Sequence, residues 1–177
     1  MGSVALEPAS TLSAAELAAV FIAGYEGYFM PPAIALYEKL GYALVRELEI
    51  WSLGELVFQK HKARSVPVAR AQQRIRADRR EREPWQRADG SVANLEDVEA
   101  LESEHGAVLF RRRGERVSLL QAVAEDETAA RDLLQALPAE GMSLHWLNGP
   151  AGDPFNAAFA SLGGTVAARQ HEMVLEL

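Results

Sequence analysis

The 177-residue chain contains no cysteine, which excludes disulfides, thiolate metal sites and a cysteine nucleophile. No apolar run approaches the roughly 20 residues that a membrane-spanning helix needs. The N-terminal sequence MGSVALEPAS has neither the basic region nor the long apolar core of a signal peptide. The histidines are few and lack metal-ligand spacing, so no metal site is predicted; they are His61, His105, His145 and His171. We therefore expect a cytoplasmic protein without membrane association.

Positive charge is scarce in the chain as a whole but concentrated in one zone. The formal net charge is −7, which argues against general nucleic-acid binding. Residues 60–83 nevertheless hold nine of the 18 Lys and Arg residues and only three acids. This zone is predicted to be a solvated linker helix, centred on Val66 to Arg80. An RNA-associated role for the zone is the alternative, although the aromatic residues that stack on single strands are missing there.

The remaining pattern alternates helices and strands. Hydrophobic content is 49% and charged content is 24%, as in ordinary globular domains. Capping residues, proline breaks and glycine stops predict helices over 11–25, 33–40, 94–103, 126–137 and 153–162. Strands are predicted over 43–51, 107–112, 115–124, 142–147 and 165–177. This order predicts an α/β (α+β) fold, with a mixed central sheet flanked by helices.

One segment points to a particular reaction. Residues 32–51 read PAIALYEKLGYALVRELEIW: a helix containing Tyr37 ends at Gly41 and leads into a strand. The segment resembles the last helix–strand step of the GNAT acetyltransferase superfamily, N-x-P-A-x-x-L-Y-E-x-L-G-F followed by a strand. The resemblance implies acetyl transfer from acetyl-CoA to an amine, with Tyr37 as the acid that protonates the coenzyme A thiolate. The simpler interpretation is that Tyr37 packs its ring at a helix interface.

A second copy of this pattern lies at residues 154–164, PFNAAFASLGG, which also run into a strand. Pro32, Ala35, Leu40 and Gly41 have identical counterparts in this copy, so a duplication is plausible. Phe159 stands opposite Tyr37 and has no proton to donate. The chain therefore resembles a tandem GNAT protein with an abridged N-terminal unit and a degenerate C-terminal unit.

The resemblance also implies where acetyl-CoA would bind. Backbone groups of the strand from 117 to 123 would contact the pantetheine arm, and the family often has an asparagine before its last helix. The implied cofactor-binding residues are Leu119, Leu120, Gln121, Ala122, Val123 and Asn148. The phosphate-binding loop would fall on residues 125–130, which read EDETAA and contain no glycine. Three acids there would repel a pyrophosphate, so this stretch is predicted to be a helix cap.

The predicted organisation is an abridged unit over 1–59, a basic linker helix over 60–83 and a GNAT-like domain over 84–177. Three functions remain open: an N-acetyltransferase acting on a small-molecule or peptide amine, a catalytically inactive structural or dimerisation module, and an RNA-associated module. A homodimer is compatible with the second.

Overall fold

The computed structural model describes residues 31–55 and 63–175. The chain forms two compact units, which are described separately. The smaller unit is residues 1–43 with 175–177, and the larger one is residues 44–174. The helix predicted over 11–25 lies outside the described residues.

The smaller unit contains one described helix, α1, which runs from Pro31–Lys39. The chain reverses at Gly41, whose φ of +90° favours glycine, and this is the predicted helix stop. The Tyr37 ring meets the ring of Tyr42 edge-on, with centroids 5.3 Å apart. The Tyr37 side chain is 40% exposed.

The larger unit contains seven strands, counting β1, which begins one residue before it. They are β1 (Ala43–Glu55), β2 (Arg64–Ser65), β3 (Val98–Ser103), β4 (Gly106–Arg113), β5 (Arg116–Ala124), β6 (Ser143–Pro150) and β7 (Thr165–Val174). Its helices are α2 (Val68–Asp78), a 3-10 turn (Trp85–Arg87), α3 (Asp89–Ala93), α4 (Glu127–Ala136) and α5 (Pro154–Ser161).

The strands form one mixed sheet in the order β2-β3-β4-β5-β6-β1-β7. β5 and β6 are parallel, whereas β3–β4, β4–β5 and β1–β6 are antiparallel. The predicted α/β fold class, a mixed sheet flanked by helices, is confirmed. β1 lies between β6 and β7, so a strand from early in the chain occupies an interior position of the sheet.

Each face of the sheet carries its own apolar cluster, because successive residues of a strand point to opposite faces. Val108 and Phe110 of β4 belong to the larger cluster, which contains buried residues of α4 and α5. Ala107 and Leu109 belong to the smaller cluster, together with residues of α2 and α3. The helices therefore cover the sheet from both sides.

Two predictions from the sequence differ from the structure. Residues 98–103 form strand β3 and not the end of a helix, and Asn94 ends α3 instead of starting one. The helix of the basic zone is shorter than expected and is not fully solvated. Its Ala71 and Ile75 are completely buried against the sheet, because these small and apolar residues are four apart on one helix face.

Candidate functional site

The parallel strands β5 and β6 separate midway along their length. Their pairing runs from Arg116 opposite Ser143 to Leu119 opposite Trp146 and stops there. The register between β4 and β5 shifts at the same point, leaving Leu120 as an extra residue. A bulge of this kind bends a strand and increases its twist. The C-terminal halves of β5 and β6 therefore enclose a gap within the sheet.

The side chain of Arg87 lies beside β6 where the two strands separate, and it is 4% exposed. Its guanidinium carbon is 3.6 Å from the centroid of the Trp146 ring, a cation–π arrangement. One terminal nitrogen donates to the backbone oxygens of Asn148 at 3.1 Å and Leu147 at 3.4 Å. Because β5 has turned away, Arg87 supplies hydrogen bonds to β6 carbonyls where the parallel pairing has ended.

Glu83 completes the anchoring of Arg87. Its carboxylate accepts from the other terminal nitrogen of Arg87 at 2.6 Å, and Glu83 is itself only 7% exposed. Burial raises the pKa of the Glu83 carboxyl, although the charge and hydrogen bond of Arg87 oppose this shift. Burial also lowers the pKa of the Arg87 guanidinium, against the opposing effects of Glu83 and Asp153. The pair is thus held together where neither charge is well solvated.

Gln121 of β5 hydrogen-bonds the chain around Arg87 from the other side of the gap. Its side-chain nitrogen donates to the backbone oxygen of Arg87 at 2.6 Å and to Asp89 at 2.9 Å. The stretch from residue 79 to 87, called the 79–87 segment below, therefore bridges the two separating strands. Arg46 of β1 also holds it, through the carboxylate of Glu81 and the backbone oxygen of Arg82.

Three buried polar atoms around this bridge have no hydrogen-bond partner among the described residues. They are Nε of Arg87, Oε1 of Gln121 and Oδ1 of Asn148. Asn148 also has a φ of +54°, in the left-handed region that non-glycine residues rarely occupy. Incomplete hydrogen bonding and an unfavourable backbone angle thus meet at the place where β5 and β6 separate.

A second buried network supports β6 from the opposite side. The Trp146 indole nitrogen donates to Asn156 at 3.0 Å, and the Asn156 amide donates to Glu49 at 3.0 Å. Glu49 of β1 also accepts from the Trp51 indole at 2.9 Å. This chain of hydrogen bonds fixes the Trp146 ring on which Arg87 stacks.

A cleft of about 530 Å³ opens beside the 79–87 segment. Residues 122–125 at the end of β5 and 150–154 between β6 and α5 line it, together with arginines and acids of the segment. Asp153, in its wall, accepts from the backbone N–H of Phe155 and so caps α5. Burial raises the pKa of Asp153, although that hydrogen bond and the charge of Arg87 oppose the shift.

The start of α4, where the resemblance places the phosphate loop, is a capped helix terminus as predicted. The Asp126 carboxylate accepts from the backbone N–H of Ala129 at 2.8 Å. Glu125 and Glu127 stand on either side. Because a carboxylate already takes one of the free N–H groups, and acids surround the others, this terminus is poorly suited to a phosphate.

The residues implied to bind the cofactor lie on two neighbouring strands of the larger unit. Leu119 to Val123 belong to β5 and Asn148 to β6, on the two sides of the gap. Leu119, Gln121, Ala122 and Asn148 are buried. Tyr37 belongs to the smaller unit. Arg87 and Glu83 were not predicted from the sequence, although a glutamate and an arginine four residues apart can form an ion pair. Phe159, which aligns with Tyr37, is fully buried in the larger cluster.

Much of the basic zone's charge is engaged within the fold. Arg70 pairs with Glu102 at 2.7 Å, and Arg74 pairs with Asp78. Arg76 and Arg79 both pair with Asp89. Within residues 31–55 and 63–175, no helix is long and apolar enough to cross a membrane, and no cluster of acids and histidines could hold a metal.

Neither a protein-family model nor a curated protein matches the sequence. Several solved structures are nevertheless similar. A GCN5-related N-acetyltransferase from Anabaena variabilis has a TM-score of 0.55 at 16% identity, over 78% of this chain and 42% of that one. One from Kribbella flavida has a TM-score of 0.52 at 14% identity, over 81% of this chain and 63% of that one.

A functionally unknown conserved protein from Staphylococcus epidermidis has a TM-score of 0.54 at 11% identity, over 82% of this chain and 67% of that one. This chain thus spans about two fifths to two thirds of the lengths of these proteins. At such identities the likeness concerns the fold alone. The described part of the chain has the GNAT fold, the fold of the GCN5-related N-acetyltransferases.

The residues present do not fit acetyl-CoA in the way that the fold implies. Arg87 is seated at the gap between β5 and β6, where the pantetheine arm would lie. The terminus of α4 is capped by Asp126. A pantetheine arm contacted by the backbone of β5 would have to share this gap with the Arg87 side chain.

Proposed function

We propose that this chain is N-acetyltransferase-like in its fold and that its larger unit is a catalytically inactive structural domain. The observation that carries the proposal is the position of Arg87. Its guanidinium binds the β6 carbonyls at the strand gap and stacks on Trp146. A side chain of the protein itself thus lies in the gap that a ligand arm would enter.

The energetics favour keeping Arg87 in place. Moving it outward would leave the Glu83 carboxylate buried without its partner and the β6 carbonyls without donors. Removing one member of a buried ion pair typically costs about 3–5 kcal/mol. An entering pantetheine arm would have to offset that cost before gaining any affinity.

The ends of the gap support the same conclusion. Three acids, one of them the capping Asp126, occupy the place of the phosphate loop, so the pyrophosphate would meet repulsion there. Phe159, which aligns with the family's tyrosine, has no hydroxyl and is buried in the core. The larger unit thus lacks both a phosphate cradle and a proton donor at the matching helix position.

Calorimetry with acetyl-CoA tests the proposal. We expect no saturable heat at millimolar acetyl-CoA, and no release of free coenzyme A when amines are added. The control is an Ala151→Arg variant, which places a bulky side chain at an exposed position of the cleft wall. Saturable binding by the unmodified chain that this variant abolishes would contradict the proposal.

The second candidate is acetyl transfer from acetyl-CoA to an amine, with Tyr37 as the acid. It is favoured by the fold and by the bulge and gap between the parallel strands. A turnover assay with Tyr37→Phe as the variant decides it. Coenzyme A release that falls at least tenfold in this variant, with folding unchanged, would support this candidate over the first. We likewise propose, without a direct observation, that the chain forms a homodimer and that the acceptor is an amine.

A further inference from the structure

A second groove lies on the sheet face that carries α2 and α3, toward the beginning of β5 and β6. The strand register places two rows of side chains across its floor. In one row, Arg113 of β4 lies opposite Arg116 of β5, which lies opposite Ser143 of β6. In the next row, Arg111 lies opposite Ser118, which lies opposite His145. Residues in register on neighbouring strands share a face of the sheet.

The arginines of these rows have no ion-pair partner among the described residues. By contrast Arg112, which points to the opposite face, forms a two-point ion pair with Glu99. Arg113 and Arg116 are directly opposite each other, and like charges in that arrangement destabilise a sheet. Glu115 also lines the groove, but the three arginines outnumber it, so the groove carries an excess of positive charge on a chain whose net charge is −7.

Apolar side chains lie beside these two rows in the groove. The groove has a volume of about 880 Å³, and its lining includes Leu120, Met142 and Leu147. Leu147 is 42% exposed, although it lies on an interior strand of the sheet. Ser118 and Gln86 add hydrogen-bonding groups to the lining. An exposed apolar strip rimmed by unpaired cations is typical of an interaction surface.

We propose that this groove binds an acidic peptide segment of a partner protein, with apolar side chains on the Leu120–Leu147 floor and carboxylates on the arginines. Charge complementarity carries the choice of partner. Arginine binds carboxylates through paired N–H groups, and Arg111, Arg113 and Arg116 have these groups free of other carboxylates within the described part of the chain. The proposal is independent of the one on acetyl transfer, because Arg111, Arg113 and Arg116 are not among the partners of the Arg87 side chain.

A nucleic acid fits the same groove less well. Among the side chains that the structure describes, no aromatic residue lines the groove, so single-stranded bases would have no stacking platform there. The negative charge of the whole chain also repels a polyanion at long range. A peptide that places only a few carboxylates next to apolar anchors avoids most of that repulsion.

The test uses a fluorescent synthetic peptide of alternating leucine and glutamate, with the full chain, in an anisotropy titration. We expect saturable binding that weakens as salt is added. The double variant Arg113→Glu, Arg116→Glu should weaken binding at least about tenfold, since two attractive contacts become repulsive. The matched control is Arg80→Glu, which reverses the charge of an exposed arginine lining the other cleft.

A local readout separates binding in this groove from binding elsewhere. His145 hydrogen-bonds Ser143 at 3.1 Å, and burial, together with the charge of Arg116, lowers the pKa of its ring. Its ring signals in a nuclear magnetic resonance spectrum should shift on adding the glutamate peptide. The proposal is overturned if the peptide does not bind, or if the double variant binds it as well as Arg80→Glu does. It is also overturned if the same peptide with lysine in place of glutamate, or a uridine oligonucleotide, binds more tightly than the glutamate peptide.

Discussion

At the scale of single residues, Arg87 and Glu83 hold the separated strands in place. The guanidinium is shared between a carboxylate, two backbone oxygens and an aromatic face. Glu83, Asn148 and Trp146 are buried, so water cannot easily replace the guanidinium at these partners if the side chain is shortened. The pair therefore contributes to the stability of the fold as well as to the properties of the gap.

We expect Arg87→Leu to destabilise the chain by about 3–5 kcal/mol, since it leaves the buried Glu83 carboxylate without its partner. Urea denaturation measures the change. Arg80→Leu, at an exposed position, should change stability by less than about 0.5 kcal/mol. The double variant Glu83→Leu, Arg87→Leu should recover part of the loss; an Arg87→Leu variant as stable as the unmodified chain would refute this account.

Gly149 is required for the close approach of β6 to the Trp146–Asn156 hydrogen bond. A Cβ atom at this position would meet the Trp146 indole nitrogen and the Asn156 side-chain oxygen, both of which are held in place. We expect Gly149→Ala to cost about 1–3 kcal/mol in the free energy of unfolding, as overpacking does. Gly54→Ala is the matched control because nothing lies within 4 Å of its added Cβ. Equal denaturation midpoints for the two variants would contradict this prediction.

At the scale of secondary-structure elements, β1 acts as an interior strand although it comes from early in the chain. Its Trp51 and Leu53 belong to the larger apolar cluster, and it pairs with β6 from Leu48 to Glu55. Ion pairs of Arg46 with Glu172 and of Arg169 with Glu49 connect it to β7. β1 is therefore an integral part of the sheet.

Trp51→Ala tests this role of β1. The ring is 9% exposed and packs beside Phe159, with centroids 6.4 Å apart. Removing it should cost about 3–5 kcal/mol, as for other buried aromatic side chains. Val45→Ala, on the same strand at a side chain that is 55% exposed, should cost far less. Thermal denaturation of both variants gives the comparison; a Trp51→Ala loss no larger than that of Val45→Ala would exclude a structural role for β1.

Elements with strong local signals were predictable from the sequence. The β4–β5 hairpin, the Asp126 cap and the glycine stop after α1 follow from turn and capping residues that act over a few positions. Strand β3 was not predictable, because Asn94 resembles a helix start and VEALES lacks a run of β-branched residues. The burial of Ala71 and Ile75 depends on the sheet beneath them, which no local pattern shows.

At the scale of the whole molecule, the alternation of helices and strands predicted the mixed sheet, but not the residues at its gap. The resemblance implied that Leu119 to Val123 and Asn148 bind the cofactor, which stays a prediction; the structure places them on β5 and β6. Arg87 was missed because it reaches β6 only through pairing across about 60 residues of chain, which no periodicity reports. Long-range contacts of this kind decide which side chains occupy a site.

The pH dependence of stability is a property of the whole molecule in which Asp153 and Asp89 act in opposite directions. Burial raises the pKa of Asp153. The stabilisation of the fold that this raised pKa provides is therefore fully present below the pKa of the unfolded state, and it is lost as pH rises through the pKa of the folded state. Burial also tends to raise the pKa of Asp89, but hydrogen bonds from Arg79 and Gln121 outweigh it and lower the pKa. The contribution of Asp89 is present above its unfolded pKa and is lost as pH falls.

We therefore expect Asp153→Asn to gain stability relative to the unmodified chain as pH rises from about 4 to 7, because asparagine keeps the cap without the buried charge. Asp89→Asn should lose stability relative to the unmodified chain as pH rises from about 2 to 4, because the lowered pKa of Asp89 places its effect below the ordinary aspartate pKa. Urea denaturation at several pH values measures both differences. Parallel changes in the two variants would show that the opposite pKa shifts are not present.

The interior position of β1 also has a consequence for the order in which the molecule folds. The ion pair between Arg46 and Glu172 joins residues 126 apart in the chain, and the hydrogen bond between Asn156 and Glu49 joins residues 107 apart. During synthesis, β1 is made long before β6 and β7. The apolar side chains of Trp51 and Leu53 are therefore exposed until those strands have been synthesised. Contacts so distant in sequence close late and slow folding. Closing the sheet around β1 should therefore be the last and slowest step, and the nascent chain is most prone to aggregation until it is complete.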